Sequence, residues 1–349
     1  MLPLASPPQS ICIIRLSALG DVTHAVPVVR AIQKQWPETQ ITWICARLEH
    51  RLLSAIEGVR FIEINKSEGF GGYMALRRKL SAECFDVMLQ MQTSARANFT
   101  GACVRARIKI GWDKFRARDL HRMFMTHSVP ETRFEHQVQG HLSFARCIGL
   151  DADEPVWDFP VANDAKEFVD EHVPGDRKLL VISPCSSYPQ RNWYADRYAA
   201  VADHAIGKLN MSVVLSGGPS ELERETGDEI CRLMQQEPIN LIGKDTLPQL
   251  VAMLERADLV MSPDSGPVHL ANALGTPVLG LYASTWSRRS GPYNSLELCV
   301  DKFPEAARKF RNKPPEELRW GTRINDPGVM ELIEVDEVIE RLEQALVQT

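Results

Sequence analysis

No two cysteines stand in a CxxC pair, and none falls into a zinc-ligand spacing. The eight that are present lie scattered from Cys12 to Cys299, several of them inside apolar, strand-like runs. That is the pattern of reduced, buried thiols rather than of a disulfide framework or a metal site. A Walker loop, a GxSxG elbow and a GxGxxG turn are also missing. Their absence argues against a P-loop kinase, an α/β-hydrolase and a typical dehydrogenase. No run reaches about 18 uninterrupted apolar residues, so no membrane span is expected. The opening MLPLASPPQS has neither the basic start nor the apolar core of a secretion signal. Strong net charge is lacking too. At −5 over 349 residues the chain is no general polyanion binder, and any anion site must be local. No nucleic-acid module is visible, so nucleic acid is not an expected partner, and no oligomeric state follows from the sequence.

What is present is alternation. Strand-like runs SICIIRL (10–16), TQITWIC (39–45), VRFIEI (59–64) and FDVMLQM (85–91) are separated by helical patterns. In the first of these Ala25, Val28, Val29, Ile32 and Trp36 share one face. Pro27 is tolerated only near a first turn, which predicts a helix start close to Thr23 with Gly20 and Asp21 just before it. The second half repeats the alternation with KLLVIS (178–183), MSVVLSG (211–217), INLIG (239–243), DLVMS (258–262) and PVLGLYA (277–283). Helices fit at 195–207, 220–235, 247–256 and 266–274. Strand and helix alternating at this spacing give βαβ units on a parallel sheet. Two such blocks predict two doubly wound domains, as expected at about 150 residues per domain. They are joined in the acidic, proline-containing stretch 151–177. A last helix, 335–346, closes the chain. Ligands of such sheets sit at the carboxyl ends of the strands, and with two domains the expected site is the cleft between them.

Five stretches after strands can carry chemistry. Gly20-Asp21 follows the first strand, where Asp21 fits either a helix cap or a base that takes a proton from a substrate hydroxyl. SPDSGPVHLANALGTPVLGLY (262–282) ends a strand, turns at Asp264-Ser265-Gly266, and opens a helix at Pro267 that Gly275 closes. Amides at that helix start can hold an anion, while His269 alone reads more often as a packed histidine. In SPCSSYPQRNWYADRY (183–198), Ser186, Ser187 and Arg191 suit phosphate oxygens. A solvated surface role is the plainer reading of Arg191. In LSGGPSELE (215–223), Gly217 and Gly218 allow a ligand close to the backbone. Glu221 or Glu223 there could hold ribose hydroxyls or serve as first-turn acids. Finally, residues 96–122 hold eight cations, among them Arg96, Arg105 and Arg107, against Asp113 and Asp119. That local excess in a negative chain favours an anionic partner such as a phosphorylated lipid or membrane surface.

The pair RLSALGDVTHAVPVVRAI and SPDSGPVHLANALGTPVLGLY resembles the ADP-heptose:lipopolysaccharide heptosyltransferases, glycosyltransferase family 9, most like the enzyme of the first heptose. The likeness runs from the first strand to Gly291-Pro292-Tyr293. It implies a GT-B architecture, two Rossmann-like doubly wound domains facing across a cleft. Residues 1–160 would bind the acceptor and 161–334 the nucleotide-sugar, and 335–349 would pack back on the first domain. It implies an inverting, metal-independent transfer of L-glycero-D-manno-heptose from ADP-heptose, with no cofactor, to Kdo of Kdo–lipid A at the cytoplasmic face of the inner membrane. By position, Asp21 is then the base, with Gly20 and His24 beside it and Arg96, Arg105 and Arg107 on the acceptor side. Ser186, Ser187, Arg191, Gly217, Gly218, Glu221, Asp264, Ser265, Gly266 and His269 are the donor-binding set. The best-known members carry lysine where this chain has Arg191, and the family's ribose-binding Glu falls opposite Ser220 or Glu221. A same-family enzyme for the second heptose or another sugar, a GT-B nucleotide-sugar epimerase and a non-catalytic nucleotide-sugar binder are the competing readings.

Overall fold

The structure, a computed structural model, describes residues 2–65 and 69–348. The chain divides into two compact units, residues 1–160 and 161–349. In the first, β1 (Ser10–Ile14), β2 (Gln40–Ala46), β3 (Val59–Ile64), β4 (Phe85–Gln90), β5 (Ala106–Gly111) and β6 (His127–Ser128) form one sheet in the order β3-β2-β1-β4-β5-β6. The second unit builds its sheet from β7 (Leu179–Ile182), β8 (Ser212–Leu215), β9 (Ile239–Asn240), β10 (Leu259–Pro263), β11 (Val278–Tyr282) and β12 (Val300–Asp301) in the order β12-β11-β10-β7-β8-β9. Every pairing is parallel. Counted within its own unit, each sheet therefore has the same doubly wound order, 3-2-1-4-5-6.

The central strands are covered on both faces, which explains their continuous apolar runs. Ile11, Cys12, Ile13 and Ile14 of β1 are all fully buried, as are Leu179, Leu180, Val181 and Ile182 of β7. Strand order reverses between β1 and β4 in the first unit and between β7 and β10 in the second. The loops leaving those strands splay apart there, making the crevice in which such sheets take ligands. Asp21 follows β1, Arg191 follows β7 and Asp264 follows β10, so each lies at a switch point.

Three stretches add to or depart from the sequence reading. Helix formation begins earlier than Thr23: Leu19–Thr23 is a short helix of its own, and Val26–Gln35 is a second with Pro27 in its first turn. Proline's missing N–H restarts the helix rather than beginning it. The join contains a helix, Asn163–His172, seated on Leu247–Arg256 of the second unit. The final helix, Val335–Gln348, packs within the second unit. It buries Val338, Leu342 and Ala345 in the second unit's core and lies on Ala195–Gly207, where His204 Nε2 meets Glu343 Oε1 at 2.9 Å. Its apolar stripe thus covers the face of its own sheet. All eight cysteines are free, and burial pushes the Cys12 and Cys299 thiols far up and the Cys45 thiol up to about 12.

Candidate active site

In the first unit the site is built around a buried cation. Arg15 stands just past β1, 9 % exposed. Its guanidinium donates to the Met91 carbonyl at 2.9 Å and pairs with Asp21 Oδ2 at 2.8 Å. The adjacent Leu16 N–H donates to Gln92 Oε1 at 2.8 Å, so the ends of β1 and β4 are tied together. Asp21 also accepts from the Ala18 N–H at 3.3 Å, while Thr23 turns its hydroxyl onto the Gly20 carbonyl at 2.6 Å. Capping and presentation coexist: the Asp21 side chain is braced on one side yet 37 % exposed. Arg15 was missed by pattern reading, though a lone cation at the end of SICIIRL was its signal.

His24 is buried beside other histidine rings. It is 2 % exposed and packs its ring 5.8 Å from that of His141 and 6.5 Å from that of His136. The helix Gln137–Ile148 brings His141 against it from behind, with Trp112 edge-on at 5.3 Å. Burial, then the positive charge of Arg15, holds the His141 pKa well below its ordinary value. His121 is a second buried ring, pushed down to about 4 by burial. It accepts from the Trp112 N–H at 3.0 Å and lies 2.8 Å from Asn98 Oδ1, the contacts of a neutral imidazole. An unfolded histidine titrates near 6.5, so below that pH the unfolded chain holds the extra protons. Stability is then expected to fall as pH drops from about 6.5 to 4, by up to about 1.4 kcal/mol per pH unit for each ring. Melting temperatures of wild type and His121→Gln measured across this range should show the shallower slope in the variant, and equal slopes would count against the assignment.

The basic stretch separates in space. Arg105 and Arg107 lie at the amino-terminal start of β5, the edge opposite the loops that carry Asp21. Arg107 pairs with Asp86 at 3.2 Å and Arg105 donates to the Ser81 carbonyl at 3.1 Å. A parallel strand carries its first residues away from its carboxyl edge, so neither stands at the edge that carries Asp21. Lys109 caps the helix Ala95–Ala102, donating to the Val104 and Gly101 carbonyls. Arg116 is stacked over Trp112 and paired with Asp113 and Glu135. Arg96 alone of the three acceptor-side arginines is on the carboxyl edge, where it lines a hollow of about 200 Å³ with Ile64, Asn65, Gly69 and Tyr73.

In the second unit the donor-side residues gather at the ends of β7 and β10. Arg191 is not a surface arginine. It is 9 % exposed, pairs with Asp264 Oδ2 at 3.0 Å and donates to the Asp264 carbonyl at 3.1 Å. His269 Nε2 lies 3.7 Å from the other Asp264 oxygen. Burial alone would raise the Asp264 pKa. Hydrogen bonding from His269, the Arg191 charge and a bond from Thr285 outweigh it, and the carboxyl sits below its usual range. The Asp264 carboxylate is thus held between Arg191 on one oxygen and His269 on the other. Gly266–Leu274 begins one residue after Ser265, whose hydroxyl turns to Ser262 at 2.7 Å and makes no cap bond to the first turn.

Other predicted groups are placed differently. The Ser186 hydroxyl donates to the Tyr188 carbonyl and accepts from the Tyr188 N–H, and the Ser186 N–H donates to Asn192 Oδ1. Ser186 therefore shapes the turn, and Ser187 is the exposed serine. At the glycine turn it is Glu223 that closes on the backbone, accepting from the Gly218 N–H at 2.9 Å and the Ser220 hydroxyl at 2.6 Å. Glu221 is exposed at the start of the helix Glu221–Leu233. Two features were not anticipated. Tyr188 carries both Arg191 and Arg323 against its ring, each at 4.7 Å. Asp245, beyond β9, reaches the buried Ser216 hydroxyl at 3.5 Å, and burial pushes its carboxyl up to about 6. An acid after a strand was the available signal for Asp245; none marked Arg323.

A model of glycosyltransferase family 9 (heptosyltransferase) matches residues 73–319. The chain belongs to this family. It is a glycosyltransferase. The lipopolysaccharide core heptosyltransferase OpsX of Haemophilus influenzae is 38 % identical to it, over 97 % of each chain. Lipopolysaccharide heptosyltransferase 3 of Escherichia coli is 26 % identical over 76 % of this chain and 81 % of its own. The family 9 glycosyltransferase structure from Veillonella parvula superposes with a TM-score of 0.81 at 22 % identity, over 100 % of this chain and 99 % of that one. E. coli ADP-heptose heptosyltransferase II gives 0.72 at 19 %, over 97 % and 99 %. The architecture is GT-B, two Rossmann-like domains. None of the helices among the described residues is long and apolar enough to cross a membrane.

Proposed function

We propose that this chain transfers L-glycero-D-manno-heptose from ADP-heptose to a Kdo sugar of the lipopolysaccharide inner core, with inversion. The observation that carries the reading is Asp21, an accessible carboxylate braced by a buried arginine at the switch point of the first sheet. A sugar hydroxyl is a poor nucleophile until it loses its proton. Asp21 takes that proton as the hydroxyl oxygen bonds to the anomeric carbon of the donor. The bond from that carbon to the diphosphate oxygen breaks, and ADP departs with the electron pair. One base opposite the leaving group is all that inversion requires.

The second unit supplies the opposite sign. Arg191, oriented by Asp264, and the uncapped start of Gly266–Leu274 offset the charge that grows on the diphosphate. These groups can do so without a metal ion. Arg323 stands exposed beside Arg191 on Tyr188 and adds a second cation. Keeping the carboxylate and the cations on separate units avoids repulsion between the base and the phosphates. The name and full-length likeness of the Haemophilus relative support a heptosyl donor and the lipopolysaccharide core as acceptor. We place the enzyme at the cytoplasmic side of the inner membrane, where a lipid-borne acceptor is met.

Incubation with ADP-heptose and either heptose-free or heptose-bearing Kdo acceptor, followed by NMR of the product, tests the reading. Heptose is expected on the heptose-free acceptor alone, with its anomeric configuration inverted. Retention would remove Asp21 as sole base, and transfer only to the heptose-bearing acceptor would make this the second enzyme. Conversion of ADP-heptose without any acceptor would make it an epimerase.

A further inference from the structure

Three segments leave the carboxyl edge of the first sheet side by side. The helix Gly69–Lys79 follows β3, Ala95–Ala102 follows β4, and residues 118–124 belong to the loop after β5. They form one continuous surface. Tyr73 and Phe99 bring the two helices together with ring centroids 6.0 Å apart, and the Cys103 thiol lies against the Tyr73 carbonyl. Asn98 donates to the Asp119 carbonyl at 2.8 Å, and Asp119 caps the Ala95 N–H at 3.0 Å.

This surface is apolar where it is most exposed. Phe70 is 78 % exposed, Met123 77 %, Leu120 71 % and Phe99 56 %. Their exposure is built in, since the loop is pinned from beneath by buried His121, bonded to Trp112 and Asn98. With His121 turned inward to those partners and the Asp119 carboxylate held on the Ala95 N–H, Leu120 and Met123 are left outside. Isolated exposed apolar residues need no explanation, but a cluster of large ones on rigid supports does. Charge says what would cover it. At that edge stand three cations, Arg96, Arg118 and Arg122, against one acid, while Arg77, Arg78 and Lys79 end the first helix toward the opposite edge, next to Ser81 and Arg105. That acid, Asp119, spends its carboxylate on the helix cap. On Gly69–Lys79, Phe70, Met74 and Arg77 follow one another along a single stripe.

We propose that this face seats on an anionic lipid bilayer, its apolar side chains entering the headgroup boundary while the arginines meet the phosphates. Large apolar residues ringed by cations are what such an interface takes. A second copy of the chain is disfavoured by the same charge, because a symmetric contact would set three cations against three. The proposal rests on the reading of a lipid-borne acceptor, and it places the bilayer at the carboxyl edge that also carries Asp21.

The test is co-sedimentation of the full chain with vesicles of phosphatidylcholine, with and without phosphatidylglycerol, beside the triple variant F70S/L120S/M123S and the pair R118E/R122E. Wild type is expected to bind the anionic vesicles at least about tenfold better than the neutral ones and to lose that preference in high salt. Both variants should lose at least about tenfold in binding to anionic vesicles. F70S/L120S/M123S should still turn over a deacylated, water-soluble acceptor at the wild-type rate. Equal binding to both vesicle types, undiminished binding by the triple variant, or a wild-type dimer dissolved by these substitutions would overturn the proposal. Vesicle binding without transfer to any acceptor would sink the heptosyl reading and leave the surface standing. Transfer to the soluble acceptor without vesicle binding would do the reverse.

Discussion

Asp21→Asn is expected to lower turnover by about 10²- to 10⁴-fold, the usual worth of a positioned general base. Donor affinity should not change. The asparagine is nearly isosteric and can still accept from the Ala18 N–H, so the short helix is kept. The ion pair with Arg15 is lost, however, and Arg15 is 9 % exposed. A cation so buried is costly without its partner, so some loss of stability should accompany the loss of rate. Isothermal titration with ADP-heptose, together with initial rates, separates the two effects. Unchanged donor binding with a collapsed rate fits a base. A near-normal rate would leave Asp21 as only a cap and a counter-ion.

The second large effect is expected at Arg191. Truncation to methionine strands the Asp264 carboxylate, 7 % exposed, without its nearest cation. Removing one partner of a buried pair costs about 3–5 kcal/mol. Arg191→Met should therefore lower the melting temperature sharply and weaken donor binding as well. Adding Asp264→Asn removes the stranded charge, so the double variant should regain much of the stability but none of the donor affinity. That divergence distinguishes a residue that meets the diphosphate from one that only braces the turn. Recovery of both together, or a single variant as stable as wild type, would speak against this division of labour. The pH dependence has a definite sign. Since the folded Asp264 carboxyl lies below the ordinary aspartate range, its contribution is complete above that range and is lost as the pH falls through the depressed value. In Asp264→Asn that part of the acid sensitivity should vanish.

The alternation of apolar runs was enough to place the central strands, because strands buried on both faces leave an unbroken apolar signature. Three of the second unit's helices, Ala195–Gly207, Leu247–Arg256 and Gly266–Leu274, fall at the expected residues. Their starts and stops are marked by Pro248, Pro267 and Gly275. Edge strands were hidden. β5 alternates basic and apolar residues and so read as a charge cluster, while β6 and β12 have two residues each. The destination of the last helix was also illegible, since an apolar stripe states that a helix is covered but not by what.

At the site, the residue types were legible and their partners were not. Asp21, Arg191 and Asp264 stand at the ends of the strands that flank each switch point. That Arg191 is buried on Asp264, separated by 73 positions in the chain, depends on β7 and β10 being neighbours, which spacing alone does not tell. The cations of residues 96–122 looked like one patch because they are close in sequence. A single strand running through them sends Arg105 and Arg107 to one edge and Arg118 and Arg122 to the other. Glu223 and Ser186 make local turn bonds that spacing did not reveal, since polar side chains compete for nearby amides.

The central claim is that Asp21 activates an acceptor hydroxyl for attack on ADP-heptose. It is tested most directly by ADP release from purified protein supplied with ADP-heptose and heptose-free Kdo–lipid A, in excess EDTA, with Asp21→Asn run in parallel. Release by wild type that depends on the acceptor, and is nearly absent from the variant while its donor binding persists, is the predicted result. Equal release by the two proteins, or none from a wild type that binds donor, would contradict it.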